Sequence, residues 1–433
     1  MHIKKKEKLA FYAIFLSTSC FRFFPTKLIH FLGKVVGFFL YFILKNFRKR
    51  ALSNLALAKG LSLSNKQIKK TALKSFQNLA INCLEYSKFY FQKNFDKVII
   101  CENPSAAEKL YQKGQGIIFF CAHQSNWEVL FLDGNIRMKG IAIGKPFKNK
   151  ALYKWILSIR EKTGGKIVEP KDAIKAGLKS LRKGLFFGIL CDQGMPESNY
   201  TYPFLGRNAK NSTAPALLAY KTNSPIIVAT TKRKSGKYYI HYSDPIWPNL
   251  SDPIDEDVKR MMNRSLNLIE ESIKKTPSEW LWQHNRWKTQ TPKNIYRKFR
   301  HDSICIIIDK TFNENIFPVS SFREIYSEDY LYLISPKDLQ LKNKDIFNEI
   351  IYYQKKDELF RHDYRFKIIF NFTKLKSLKR HYLKLSAFEV LSVDDIYKYA
   401  MPHTSHKKQN LPFSDILKRA ICRPNTLWSE NAL

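Results

Sequence analysis

From residue 97 to residue 277, short apolar runs alternate with segments of helical period, and this alternation limits the chain to few architectures. KVII, GIIFFCA, GIAIGK, KIVE, LFFGILCD, PIIVATTKR and KYYIHYSDPI are short, apolar and rich in β-branched and aromatic residues, so they read as strands. WEVLFLDGNI, NKALYKWILSIREKTG, DAIKAGLKSLRKG, TAPALLAYKTN and EDVKRMMNRSLNLIEESIKKTP lie between or after them with apolar residues every three or four positions, the helical spacing. Apolar strands separated by amphipathic helices imply an α/β fold, helices flanking a mixed, largely parallel sheet. Residues 51–95 are helical in pattern and lead into this domain, which is expected to cover residues 51–295. Beyond it SICIIID, YLYLIS, EIIYYQ, FKIIFNF and FEVLSV alternate with short helical stretches, predicting a small C-terminal α/β unit over residues 301–433. The boundary falls near Thr291 to His301.

Residues 1–50 differ. Lys4, Lys5, Lys6 and Lys8 precede LAFYAIFL, and FLGKVVGFFLYFIL is followed by Lys45, Arg48, Lys49 and Arg50. The apolar run from Leu28 to Leu44 includes His30 and Lys34 and falls short of the roughly 20 residues of a clean span. A membrane-anchoring segment is expected, as an interfacial hairpin or a span. Lys and Arg number 74 against 37 acidic residues, a formal charge of +37 that favours an anionic partner. The charge is spread along the chain and not interleaved with aromatics on one domain, which argues against nucleic acid. The seven cysteines are scattered and never form C-x-x-C, so neither a disulfide framework nor a zinc site is expected. The ten histidines are equally dispersed, His403 and His406 being the only close pair.

One strand ends abruptly. GIIFFCA stops at a polar knot, His123-Gln124-Ser125-Asn126-Trp127-Glu128, before an apolar helix begins. In open α/β sheets ligands bind beyond the carboxyl ends of strands, where His123 falls. A strand-to-helix corner can bring an imidazole and a carboxylate together, and such a pair can take a proton from a hydroxyl as general base. The bland alternative is a buried histidine, with Ser125 or Asn126 capping the helix and Glu128 favourable at its N-terminus.

The wider pattern decides between them. HQSNWE after an apolar strand, RALSNLALA with Asn54 and Leu55, WILSIREKTGGKIV with Arg160 and Gly164, LKSLRKGLFFGILCDQ ending in Asp192 and Gln193, YPFLGRNAKNSTAPALLAYKTNSPIIVA, and PSEWLWQHNRWKT occur in order. This series resembles the lauroyl and myristoyl acyltransferases of late lipid A biosynthesis, within the lysophospholipid acyltransferase superfamily. The resemblance covers roughly residues 1 to 291. It departs where Lys145 and Lys148 stand in place of an Arg, and where Arg207 follows Phe204-Leu205-Gly206.

The resemblance implies an enzyme that moves a fatty acyl group from an acyl carrier protein or coenzyme A thioester to a hydroxyl of a Kdo-bearing lipid A precursor. His123 is expected to be the base, Glu128 to orient it, and Arg160 to stabilise the oxyanion. Asn126, Lys145, Asp192, Gln193, Arg207 and Arg286 are expected to bind or position substrate. No cofactor or metal is required. The expected partners are acyl carrier protein, for which the basic helix with Lys171, Lys175, Lys179, Arg182 and Lys183 is a candidate face, the lipid A precursor and membrane lipids. The expected location is the inner membrane, with the catalytic domain on its cytoplasmic face. Two rival expectations are an acyltransferase for another lipid acceptor, such as a lysophospholipid or glycolipid, and a catalytically inactive membrane scaffold.

Overall fold

The computed structural model describes residues 5–287, 294–404 and 411–424; Lys4, Thr291 to Lys293 and His406 lie outside the described residues. The chain forms two compact units, Met1–Leu44, Lys70–Gln193 and Ser198–Gln283 in one, and Lys45–Lys69, Gly194–Glu197 and His284–Leu433 in the other.

Four helices come first: α1 (Lys5–Ser19), α2 (Thr26–Ile43), α3 (Lys45–Leu57), which belongs to the second unit, and α4 (Asn65–Phe91). Strands β1 (Ile99–Cys101), β2 (Ile117–Cys121), β3 (Gly140–Ile143), β4 (Lys166–Val168) and β5 (Phe186–Leu190) then alternate with α5 (Ser105–Gln112), α6 (Glu128–Arg137), α7 (Lys150–Arg160) and α8 (Ala173–Leu181). The hairpin β6 (Thr201–Phe204) and β7 (Arg207–Lys210), helix α9 (Ala214–Thr222), strands β8 (Ile226–Lys234) and β9 (Lys237–Tyr242), and α10 (Ile254–Lys275) complete the first unit. Its seven-stranded sheet has the order β1-β9-β8-β2-β5-β3-β4 and is parallel except between β8 and β9. The central strand β2 is buried along its whole length, as its unbroken Ile-Ile-Phe-Phe-Cys requires. Helix α10 buries Val258, Met261, Met262, Leu266, Ile269 and Ile273, a stripe at helical spacing. Its acidic first turn and basic last turn match the helix dipole.

The β6–β7 hairpin is absent from the sequence reading because its strands are only four residues each and Pro203 interrupts the first; it turns through Leu205 and Gly206, both at positive φ (50° and 82°), as a type I′ turn demands.

Helix α2 has 18 residues, about 27 Å of helix, and is apolar enough to cross a membrane by length and composition. Gly33 and Gly37 let it lie against α4: a Cβ on either would collide with Ile81 or with the Gln77 backbone. Its outward side exposes Phe31, Val35, Phe38, Phe39 and Phe42.

The second unit holds β10 (Ser303–Ile307), α11 (Ser320–Ile325), β11 (Tyr330–Pro336), β12 (Glu349–Tyr353), β13 (Ile368–Asn371), α12 (Ser377–Lys384), β14 (Glu389–Ser392), α13 (Val393–Ala400) and α14 (Phe413–Ile421). All five strands are parallel, in the doubly wound order β12-β11-β10-β13-β14. Helix α3 is tied into this unit by Lys49 donating to the Ala387 carbonyl at 2.7 Å and Ser53 to that of Arg365 at 3.1 Å. The buried Lys367 ammonium pairs with Asp302 at 2.6 Å and donates to Asn285 at 2.7 Å.

Candidate active site

Strands β2 and β5 are neighbours in parallel register, Cys121 opposite Leu190. Two residues past each partner stand His123 and Asp192, so the register itself carries the two side chains side by side beyond the sheet's carboxyl edge. The His123 ring meets the Asp192 carboxylate Nδ1 to Oδ1 at 2.7 Å. Asp192 Oδ2 accepts the His123 backbone N–H at 2.8 Å and the Trp280 indole N–H at 2.6 Å. Burial pushes this carboxyl up, but the adjacent imidazole and the three hydrogen bonds outweigh that and hold its pKa down at about 2. An ionised carboxylate on Nδ1 fixes the proton there and leaves Nε2 as the acceptor, 3.3 Å from the Gln193 amide nitrogen.

The sequence reading placed Glu128 on the histidine, and the geometry differs. Glu128 opens α6, and its carboxylate is taken by other donors. Arg160, at the end of α7, grips it with Nε to Oε2 at 2.8 Å and Nη2 to Oε1 at 2.5 Å. Tyr86 donates to Oε1 at 2.6 Å and the Trp127 indole at 3.1 Å. Burial raises the Glu128 pKa; the Arg160 charge and these bonds lower it by more, so the pair is ionised. The two carboxylates therefore have separate partners, Asp192 the imidazole and Glu128 the guanidinium.

The loop between β2 and α6 is clamped. The His123 carbonyl accepts from Leu281 N–H at 3.0 Å, and the Gln124 amide donates to Thr276 at 2.7 Å. Ser125 sits at positive φ (51°), a sparsely populated conformation for serine, with its N–H on the Glu279 carbonyl and its own carbonyl accepting from Asn78 and Asn82. Asn126 is buried as well: its Oδ1 accepts the Glu128 N–H at 3.2 Å and its amide donates to Glu85 at 2.8 Å, so it holds the corner and does not face the cavity. Glu85 is fully buried; burial raises its pKa, but His30, Arg233 and Tyr238 bring it below the usual value.

His123, Glu128, Arg160, Lys145 and Gln193 line one cavity of about 580 Å3, a ligand-sized space. Its walls are otherwise largely apolar, including Phe119, Phe131, Phe186 and Tyr242, and small residues (Ala142, Gly188, Ala229) lie on the sheet beneath it. Lys145 is exposed. Arg207 opens β7 and Arg286 is fully buried in the second unit; neither lines this cavity. Among the described residues no group of three or more His, Cys, Asp and Glu gathers as a metal would need. Sequence reasoning missed Tyr86, Glu85 and Trp280. A carboxylate within the apolar face of α4 was the available signal for Glu85.

The family model for bacterial lipid A biosynthesis acyltransferases matches residues 2–289. The chain is 23% identical over 247 residues to the lipid A biosynthesis lauroyltransferase of Escherichia coli (strain K12), covering 55% of this chain and 78% of that protein. Matched along most of its length and carrying an imidazole poised over a largely apolar cavity, the chain belongs to the bacterial lipid A biosynthesis acyltransferase family and is an acyltransferase.

Proposed function

We propose that the enzyme transfers a fatty acyl chain from an acyl carrier protein thioester to a hydroxyl of a Kdo-bearing lipid A precursor, with His123 as general base and Asp192 orienting it. The observation that carries this reading is the His123 ring, held through Nδ1 by a buried carboxylate and presenting Nε2 beside a largely apolar cavity. The acceptor hydroxyl gives its proton to Nε2 as its oxygen attacks the thioester carbonyl. The tetrahedral intermediate collapses with cleavage of the C–S bond, and the imidazolium returns the proton to the departing thiolate.

Negative charge that develops on the carbonyl oxygen needs a fixed donor. Arg160 supplies it in this reading. Glu128 holds Nε and Nη2 of that guanidinium, so Glu128 acts as a positioning residue through Arg160, and Nη1 is the group not engaged by it. Gln193, beside Nε2, holds the acceptor hydroxyl. The small residues on the sheet leave depth for the acyl chain. The exposed Lys145 suits a lipid phosphate. Lys171, Lys175 and Lys179 on and before α8, with Arg182 and Lys183, are all exposed around the exposed Ile174, a surface suited to an acidic carrier protein. The exposed apolar residues of α1 and α2 suit an inner-membrane seat with the catalytic unit on the cytoplasmic face.

The test is acyl transfer in detergent from a panel of acyl carrier protein and coenzyme A thioesters to lipid A precursors with and without Kdo, for wild type and His123→Ala. Transfer from the carrier protein to the Kdo-bearing acceptor, lost by at least about a hundredfold in the variant, is the expected result. Transfer only to lysophospholipid would reassign the acceptor. Equal rates in both proteins would remove His123 from the chemistry.

A further inference from the structure

A second concavity, of about 520 Å3, is formed by α2, α4 and the β8–β9 turn, and shares no lining residue with the cavity at His123. Lys27, His30 and Lys34 follow one another at helical spacing along one side of α2, and Lys74 comes from α4. At its base Arg233 is already engaged, donating to Asn78 at 2.6 Å, to Asn82 at 2.5 Å and to the Tyr238 hydroxyl at 2.8 Å. The acidic lining residue is Glu279, whose Oε2 accepts the Arg233 backbone N–H at 3.2 Å. His30 is paired with Glu85 at 2.7 Å. Lys27, Lys34 and Lys74 are exposed, and among the described residues none has a carboxylate within ion-pairing distance. Three uncompensated ammonium groups therefore share one concave surface.

The same helix supplies the second half of the recognition. Leu28, Phe31 and Val35, each next in sequence to one of those cationic residues, and Phe38 and Phe39 about one turn further on are exposed large apolar side chains. Gly33 and Gly37 press a third side of α2 onto α4, which fixes the cationic and apolar sides relative to the groove. A free phosphate would use the lysines and gain nothing from the apolar side. A molecule with an anionic head and hydrocarbon tails would use both.

We propose that this concavity binds the phosphate headgroup of an anionic bilayer phospholipid, whose acyl chains lie along the apolar side of α2. The site is separate from the acyl-transfer cavity, and the proposal stands whether or not the donor and acceptor assigned above are correct.

The test is flotation of the full chain with vesicles of phosphatidylcholine, or of equal parts phosphatidylcholine and phosphatidylglycerol, at low salt. Wild type is compared with K27Q/K34Q/K74Q and with K171Q/K175Q/K179Q, which removes the same charge elsewhere. At about fivefold per lysine near an anionic surface, the first triple variant is expected to lose roughly a hundredfold in affinity for the mixed vesicles and nothing on phosphatidylcholine alone. The single reversal K74E is expected to shift affinity in the same direction. The α8 triple is expected to change by less than about tenfold. Equal losses in both triples would reduce the effect to overall charge and overturn the site. Release of wild type from mixed vesicles by inorganic phosphate, but not by chloride at equal ionic strength, would show that free phosphate occupies the site and overturn its assignment to lipid.

Discussion

Replacing Asp192 by Asn tests the assignment of base and orienter most directly. The substitution keeps the shape and exchanges one oxygen for an NH2 group, and the structure dictates which. Oδ2 accepts two N–H groups, from the His123 backbone and from Trp280, so the remaining carbonyl must take that place. The new NH2 then faces His123 Nδ1, where Oδ1 stands at 2.7 Å. It donates to Nδ1 and drives the ring proton to Nε2, the atom required to accept a proton. The lost charge adds to this. Burial opposes ionisation of Asp192, but the adjacent imidazole and the hydrogen bonds hold its pKa at about 2, so the carboxylate is charged and stabilises the imidazolium that forms when the ring takes the proton, which Asn cannot do. With the tautomer reversed as well, kcat is expected to fall about a thousandfold to ten-thousandfold. The assay is single-turnover acyl transfer in detergent across pH, with near-unchanged thermal melting as the control for folding. A D192N enzyme within tenfold of wild type would refute the reasoning, more so if Glu128→Gln proved far more damaging.

The remaining predictions concern the other carboxylate, acid stability and the cavity floor. Glu128→Gln leaves the Arg160 guanidinium buried without its counter-charge, so it is expected to destabilise the fold by about 3–5 kcal/mol, read by urea unfolding, besides lowering activity. Adding Arg160→Met to that variant is expected to restore stability without restoring activity, which separates packing from chemistry. Because the folded pKa of Asp192 is depressed, its contribution is fully present above the ordinary value of 3.8 and is lost as pH falls through about 2. Wild type is therefore expected to lose about 2 kcal/mol more than D192N over that window in denaturant titrations at stepped pH. Gly188 lies opposite Ala142 on the cavity floor, and a Cβ there would already come within 3.3 Å of the Ala142 Cβ. Gly188→Leu is expected to shift the ratio of long-chain to short-chain transfer by at least about tenfold toward shorter thioesters, measured with a mixed acyl panel.

Much of the architecture could be read from the chain because it depends on local patterns. The apolar runs at Ile117–Cys121, Phe186–Leu190 and Ser303–Ile307 are strands because β-branched and aromatic residues buried on both faces leave few other options. The polar residues after Cys121 marked the end of a strand, and hence where a site could form. The β6–β7 hairpin escaped notice because four-residue strands, the first carrying Pro203, are too short to show a hydrophobic period. The grouping of Lys45–Lys69 with the C-terminal residues depends on partners more than 300 positions away, such as Ala387, which no local pattern records.

The site divides in the same way. Sequence alone marked His123 and Glu128 through the polar corner after an apolar strand, and the family resemblance added Arg160, Asp192 and Gln193. Proximity along the chain placed Glu128, five residues on, against the histidine. Tertiary structure decided otherwise. Hydrogen bonding between β2 and β5 sets Asp192 level with His123, while the end of α7 brings a bidentate guanidinium to Glu128. Which charge meets which is fixed by strand register and helix packing, and those are properties of the assembled sheet, not of any one segment.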